Sequence, residues 1–237
     1  SQQIQICYDA YCSLFGKTYL HQIAMFFHRM INTESVILDL SYLPYQLLYL
    51  QADTNCFFQP LFKAATQFKY FNGITCHNAK LPDILIEIAS ILKTTNTISF
   101  LSLSGIGMVH GGKELGEAIK ENKDLNLISI DLSNNKISDM HLFTEALQYL
   151  TKPLYYLNLS NCCLSEIAIR NLCRSLMLNP NLRTLKVFEI TGSSMGPHLG
   201  IFSNFFHESC NSLERVHLGA VTTGFDHFTS QLNTKQR

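Results

Sequence analysis

One eleven-residue phrase of the form LxxLxLxxNxL, or a close relative of it, recurs along the chain at intervals of 27 to 31 residues. Its clearest copies are LISIDLSNNKI, which begins at Leu127, and LYYLNLSNCCL, which begins at Leu154. Such a period indicates that each unit is one supersecondary module, which buries its apolar face only by stacking on the next unit. The sequence therefore predicts a solenoid, and binding rather than catalysis is the function to look for.

Each phrase is expected to form a short strand. The repeats begin near residues 71, 98, 127, 154, 182 and 213, and a degenerate first repeat begins at residue 35. The first, fourth and sixth positions are apolar or nearly so, as at Leu127, Ile130 and Leu132, so alternate side chains point into the solenoid. These repeats make up residues 35–237.

The ninth position of a phrase is expected to hold an Asn or Cys that bonds the backbone of the next turn. Asn135 and Cys162 occupy it in the two clearest phrases. The phrases placed at residues 182 and 213 carry Ile190 and Val221 there, which predicts a weaker ladder toward the C-terminal end.

Between the phrases the apolar period changes from two to about 3.6, which predicts a returning helix in every repeat. Leu85, Ile88 and Leu92 lie on one face of such a helix, and Ser165 stands where an N-cap precedes Ala168. The predicted fold class is an α/β leucine-rich repeat solenoid of the ribonuclease-inhibitor-like kind. It is a right-handed horseshoe with parallel strands on the concave face and helices on the convex face.

Residues 1–34 are predicted to form an N-terminal helical cap that covers the first repeat. The two helices span residues 4–15 and 19–31 and are divided at Gly16. Their predicted apolar faces consist of Cys7, Tyr11 and Leu14 in the first helix and of Ile23, Phe27 and Met30 in the second. Beyond the last phrase only the opening of one more helix is visible, so we expect the chain to be the N-terminal part of a longer array.

Composition excludes several classes of function. Lys plus Arg equals Asp plus Glu at 18 each, so no global field favours nucleic acid. The eight cysteines are scattered and lack zinc-site spacing, which favours reduced core thiols such as Cys76, Cys162 and Cys173 in a cytoplasmic protein. No metal is expected. No apolar run reaches the 18 residues or so that a membrane-spanning helix needs.

An enzyme is not predicted. The glycine cluster that begins at Gly105 lacks the order of a dinucleotide or phosphate loop, and it falls where a strand turns into its helix. The histidines lie in different limbs, with no Ser or Cys in a recognisable nucleophile turn. No catalytic constellation and no cofactor site are therefore expected.

A more specific resemblance rests on the order and spacing of these elements. A short helix contains the run YDAYCSLFG from Tyr8, and a degenerate strand from Ser35 lies about 36 residues before the first regular repeat, which opens with the aromatic Phe71. Regular repeats of 27 to 29 residues follow. From Tyr8 to about Thr223 the chain resembles the N-terminal half of the repeat domain of the CARMIL family, whose members are cytoskeletal scaffolds that regulate the actin-capping protein.

The resemblance implies a protein-interaction scaffold in a regulator of actin filament assembly, located in the cytoplasm and at the cell cortex. In the family the repeat domain is a rigid scaffold and a dimer platform, so a homodimer is one implied partner and actin-regulatory proteins are others. Membrane contact in the family depends on a flanking lipid-binding domain, and binding of the capping protein on a distant disordered segment. Neither is in this chain, so neither activity transfers to these residues.

The candidate contact residues are those that alternate with the buried strand positions and so face the concave side. The predicted protein-binding residues are Phe100, Asp131, Tyr155, Tyr156, Asn158, Lys186, Phe188, Glu189, Arg215 and His217. Aromatic side chains are over-represented at binding hot spots, which makes the four aromatic members the first candidates. Two alternatives stay open: the rings could stack on each other across strands, and the charges could be merely solvated.

A second function of a different class also stays open. The repeats could be a ligand-sensing, inhibitory or autoregulatory domain of a larger signalling protein, such as a Rho-family exchange factor. A bacterial effector or an innate receptor is a weaker third reading, because no ligase or nucleotide-binding domain is visible. Flanking sequence separates these classes, since a catalytic neighbour favours the regulator and a proline-rich, basic tail favours the scaffold.

Overall fold

Strands and helices alternate along the chain in the computed structural model, which describes residues 2–48, 58–67, 70–193, 199–208 and 212–219. The described strands are β1 (Ile37–Asp39), β2 (Gly73–Thr75), β3 (Phe100–Ser102), β4 (Ser129–Asp131), β5 (Tyr156–Asn158), β6 (Val187–Glu189) and β7 (Arg215–His217). The described helices are α1 (Gln2–Leu14), α2 (His21–Asn32), α3 (Tyr45–Leu48), α4 (Phe58–Gln67), α5 (Ile84–Leu92), α6 (Gly112–Glu121), α7 (Met140–Ala146), α8 (Glu166–Leu178) and α9 (Leu199–Glu208).

The described strands form a single parallel sheet in chain order, from β1 to β7. The register repeats from strand to strand, so the third, fourth and fifth positions of each phrase lie beside their equivalents in the next. The fourth positions that are fully buried are Leu38, Ile74, Leu101, Ile130, Leu157 and Phe188. The prediction of an α/β chain with a parallel sheet is confirmed.

The helices that follow successive strands pack side by side, α5 on α6, α6 on α7 and α7 on α8. Gly116 allows the close approach of α6 and α7, because a Cβ there would lie 2.9 Å from the carbonyl oxygen of Leu142. The carboxylate of Asp139 accepts hydrogen bonds from the backbone N–H groups of Gly112 at 3.0 Å and Lys113 at 2.8 Å. The N-terminus of α6 is thus capped from the neighbouring repeat.

The ninth position of the phrase carries side chains that bond the backbone of the preceding turn. Asn135 is buried, and its Nδ2 donates to the carbonyl oxygens of Leu103, Leu132 and Ser133 at 2.8 to 2.9 Å. Its Oδ1 accepts from the backbone N–H of Met108 at 3.1 Å. At the same position the thiol of Cys162 donates to the carbonyl oxygen of Leu132 at 3.2 Å. The predicted residues therefore do bond a neighbouring turn, but it is the preceding turn and not the next one, so the predicted direction is wrong. Val221 lies outside the described residues.

The repeat that carries β6 begins at Leu185, and the prediction of a start near Leu182 is wrong. Val187 pairs with Tyr156 and Phe188 with Leu157, which places Leu185 at the first position and Ile190 at the sixth. All three interior positions of the corrected phrase are buried. The error arises because Leu182 and Leu185 are themselves three residues apart, like the first and fourth positions of a phrase. Leu182 instead belongs to a 3₁₀ turn, Pro180–Thr184.

The backbone supports the corrected register independently. The eighth position of the phrase adopts a left-handed conformation, with φ of +58° at Asn134 and +57° at Asn161. In the corrected phrase the eighth position is Gly192, whose φ is +72°. The ninth position is then Ser193, and the prediction that Ile190 occupies it is wrong because Ile190 is an interior strand residue.

The two predicted N-terminal helices are present as α1 and α2, and their buried residues belong to the same apolar cluster as those of the strands. In α2 the predicted face is confirmed, since Ile23, Phe27 and Met30 are buried. In α1 the predicted face is confirmed in part, since Cys7 and Tyr11 are half-buried and pack against the core. It is wrong at Leu14, which is 72% exposed, and the fully buried residues of that helix are Ile4, Tyr8 and Cys12. Two apolar stripes run along α1, and helical spacing does not distinguish which one faces the core.

Candidate protein-binding face

The third and fifth positions of the strands form one surface of the sheet, which we call the sheet face. Its third row runs Ile37, Gly73, Phe100, Ser129, Tyr156, Val187 and Arg215, and its fifth row runs Asp39, Thr75, Ser102, Asp131, Asn158, Glu189 and His217. These rows alternate with the fourth row, most of which is buried, so their side chains point away from the core. Neighbouring strands are about 4.8 Å apart, so each row is a ladder of close neighbours.

Three predicted aromatic residues lie on or beside the sheet face. Phe100 is 38% exposed and Tyr155, at the second position of β5's phrase, is 41% exposed, whereas Tyr156 is half-buried. None of the three rings packs against another described aromatic ring. Stacking between these rings therefore does not account for their position.

Phe188 is not on the sheet face, and its assignment as a contact residue is wrong. Its side chain is fully buried, and its ring centroid lies 5.8 Å from that of Phe202 and 5.9 Å from that of Phe206, both in α9. The reason is the three-residue error in register, which exchanged inward and outward positions along β6. Lys186 consequently occupies the second position of its phrase, and Glu189 takes the fifth.

Asp131 and Asn158 are neighbours in the fifth row, and both stabilise a local turn. Oδ1 of Asp131 accepts the backbone N–H of Ser133 at 2.9 Å, and Oδ1 of Asn158 accepts that of Ser160 at 3.0 Å. Asn158 is only 8% exposed and its Nδ2 donates to the hydroxyl of Tyr156 at 3.3 Å. Burial makes Asn158 a supporting residue of this surface, and its direct contact with a partner stays a prediction.

The C-terminal strands bring the charged candidates together. The carboxylate of Glu189, whose side chain is 17% exposed, lies 3.5 Å from Nδ1 of His217 on the next strand. Lys186 lies 3.2 Å from Glu214, a residue absent from the sequence prediction because only the corrected register aligns the two. Both of these side chains are exposed, so the pair contributes little to stability. Arg215 is exposed and makes no ion pair with a described residue.

The pKa of the Tyr156 hydroxyl depends on its burial and on the charges around it. Burial raises the pKa of its hydroxyl, and the hydrogen bond with Asn158 opposes that increase. The negative charges of Asp131 and Glu189 raise the pKa further, whereas Arg215 lowers it. The tyrosine therefore stays protonated at neutral pH and lies within the field of both carboxylates.

The described residues contain no group of three or more His, Cys, Asp or Glu side chains placed to hold a metal ion. Burial raises the pKa of Cys76, Cys162 and Cys173 to about 12, so these core thiols stay protonated at neutral pH. Within the same parts of the chain, no helix combines the length and the apolar character needed to cross a bilayer.

A polar cavity of about 480 Å³ lies where α1 approaches the ends of α4 and α5. Two polar side chains in its wall are bonded to nearby backbone carbonyls. Thr66 donates to the carbonyl of Phe62, and Nδ2 of Asn122 donates to the carbonyls of Leu92 and Thr95.

No protein-family model and no curated protein matches this chain.

Proposed function

We propose that the chain is a protein-binding module built as a leucine-rich repeat solenoid, with the sheet face on the concave side of a right-handed horseshoe and the helices on the convex side. Three features support the solenoid: strands that pair in chain order, helices that pack on their successors, and ninth-position side chains that bond the neighbouring turn. A solenoid offers an extended surface suited to another macromolecule.

One observation carries the binding proposal: aromatic side chains are exposed on the sheet, and no described ring packs against them. Phe100 lies on β3 and Tyr155 directly precedes β5, and only β4, which carries Asp131, separates these two strands. Aromatic residues next to polar ones resemble the composition of protein interfaces, where aromatic anchors carry much of the binding free energy. A protein segment laid along the sheet is the proposed occupant.

The setting we propose for this module is a scaffold in actin regulation, in the cytoplasm and at the cell cortex. It rests on the resemblance to the CARMIL family. The strand register supports the same spacing, since Ile37 of β1 lies beside Gly73 of β2, 36 residues further along the chain. Actin-regulatory proteins and a second copy of the chain are the proposed partners.

The test is affinity capture from cell extract with the wild-type chain, a Phe100→Ala/Tyr155→Ala variant and a Tyr149→Ala/Ile167→Ala control. All four side chains are exposed, so each variant should fold, and the control residues lie on the helical limbs. We expect the first variant to recover its partners at least about tenfold less well, as loss of an aromatic hot spot implies. Equal recovery by all three baits would contradict the proposal.

A further inference from the structure

Two carboxylates flank one neutral side chain in the fifth row of the sheet face. Asp131 of β4 and Glu189 of β6 both neighbour Asn158 of β5, so their Cα atoms are about 10 Å apart, two strand spacings. The hydroxyl of Tyr156 reaches Asn158 at 3.3 Å and therefore lies in the space between the two acids. The centre of the sheet face is an aromatic ring bordered by two negative charges.

The local turns do not require the negative charge of Asp131. Its Oδ1 accepts the N–H of Ser133, but Asn158 makes the same bond in the next turn with a neutral amide. One amide oxygen is sufficient for that turn, so the turn by itself does not account for the charge and the second oxygen of Asp131. Substitution by Asn consequently removes the charge while the turn is kept.

No Lys or Arg among the described residues forms an ion pair with either acid. Glu189 faces only His217, which is a cation only when protonated. Lys186 is paired with Glu214 instead, and Arg215 lies farther from both acids than the 4.0 Å of an ion pair. Among the described residues, the two carboxylates therefore have no permanent counter-charge beside the ring of Tyr156.

We propose that the sheet face binds a segment of a partner protein that places a Lys or Arg side chain between Asp131 and Glu189, against the ring of Tyr156. This inference rests on the proposed function. A guanidinium forms charge-assisted hydrogen bonds with carboxylates and also packs on aromatic faces, and an ammonium does so less specifically. Phe100 and Tyr155 supply apolar contact beside this site. Phosphate-rich partners are disfavoured because both acids would repel them.

The experiment selects random peptides from a display library against the wild-type chain. Selected peptides are then measured against Asp131→Asn/Glu189→Gln and against a control, Asp39→Asn/Glu166→Gln. Asp39 is a close match for Asp131, since it also lies in the fifth row and its Oδ1 accepts the N–H of Ser41 at 3.0 Å. Glu166 lies on α8, and both variants remove two negative charges.

We expect selected peptides to be enriched in Lys or Arg, and their Kd to rise at least about tenfold with Asp131→Asn/Glu189→Gln. The control should change Kd by less than about twofold, because its charges are remote and screened. Binding should also weaken as ionic strength rises.

Failure of this inference and failure of the proposed function give different results in this experiment. Peptides without cationic enrichment that still lose affinity with Phe100→Ala/Tyr155→Ala would overturn this inference and leave the proposed binding surface intact. Failure to select any peptide that depends on the acids or the aromatic residues would overturn both.

Discussion

The turn that carries β4 and the turn that carries β6 fill equivalent interior positions with different chemistry. The β4 turn has aliphatic residues at its first, fourth and sixth positions, and Asn135 bonds four backbone groups at its ninth. The β6 turn has Phe188 at its fourth position, packed on two phenylalanines of α9. At its ninth position, Oγ of Ser193 is buried and finds no hydrogen-bond partner among the described residues.

The difference shows that the backbone path of a turn does not depend on one type of side chain. Asn134 and Gly192 both occupy the left-handed eighth position, although one turn is completed by an amide ladder and the other by an aromatic cluster. Hydrogen bonds satisfy the carbonyls in the first case, whereas apolar burial dominates in the second. The two turns should therefore respond differently to matched substitutions.

The largest effect is expected at Phe188. Phe188→Ala removes a fully buried ring and should lower the free energy of unfolding by about 4 kcal/mol. Phe100→Ala, at an exposed position, should change it by less than about 0.5 kcal/mol. Urea denaturation followed by circular dichroism measures both. Equal, small changes would mean that Phe188 is on the surface, as the uncorrected register predicts.

The second effect concerns the ninth position. Asn135→Ala removes the side-chain partner of the Leu103 carbonyl and of the Met108 N–H, which are both buried, and should cost about 3 kcal/mol of unfolding free energy. Cys162→Ala removes one principal sulfur contact, to the carbonyl of Leu132, and should cost about 1 kcal/mol. The same urea titration compares them. A cost at Cys162 as large as that at Asn135 would show that packing, not hydrogen bonding, governs this position.

A third, smaller effect is expected from Ala substitution at two glycines with left-handed backbones. It distinguishes the cost of backbone strain from the cost of a steric contact. Gly192 and Gly105 have φ of +72° and +65°, so Ala strains both equally. At Gly192 a Cβ would also lie 2.3 Å from Oδ1 of Asn161, whereas at Gly105 its nearest neighbour is 3.7 Å away. We expect losses of about 2 kcal/mol and about 1 kcal/mol respectively in thermal or urea unfolding. Identical losses would mean that Asn161 moves aside freely.

The smallest expected effect is on the unfolding free energy at alkaline pH. Burial raises the pKa of Cys162 from 9.0 to about 12. Because the folded state holds this proton more tightly, the stabilisation is complete below pH 9 and is lost as pH rises toward 12. Between about pH 9 and about pH 10 the unfolding free energy of Cys162→Ala should fall by about 1 kcal/mol less than that of the wild type.

Cys163→Ala is the control for that measurement, since Cys163 is the adjacent residue in the chain and is exposed. Its loss of stability across the same pH interval should equal that of the wild type. If the unfolding free energies of Cys163→Ala and Cys162→Ala fell equally with pH, burial of the Cys162 thiol would not contribute to the loss of stability at alkaline pH.

Local spacing was sufficient to predict much of the fold. Helical periods placed the helices, and Ser165 caps α8 as expected, with Oγ accepting the N–H of Ala168 at 3.2 Å. Prediction failed where spacing was ambiguous. Leu182 and Leu185 imitate two interior positions, and α1 has two apolar stripes. In both places only contacts with other elements decide which residues are buried.

The alternation of side chains along a strand predicted which residues of the candidate site are exposed. Alternation placed Phe100 and Asp131 outward correctly, but the register error moved Phe188 to the wrong side. The burial of Asn158 and the absence of a permanent counter-charge for Glu189 could not be predicted, because they depend on side chains in neighbouring turns.

Strand partners in the described sheet are separated by 27 to 36 residues along the chain, as in the pairs Gly73 with Phe100 and Ile37 with Gly73. Each strand therefore depends only on its immediate predecessor and successor. A gene that duplicated or deleted one whole unit would leave the other units with neighbours of the same kind. Such a chain can change length during evolution, and thereby the extent of its sheet face, without a new core having to arise.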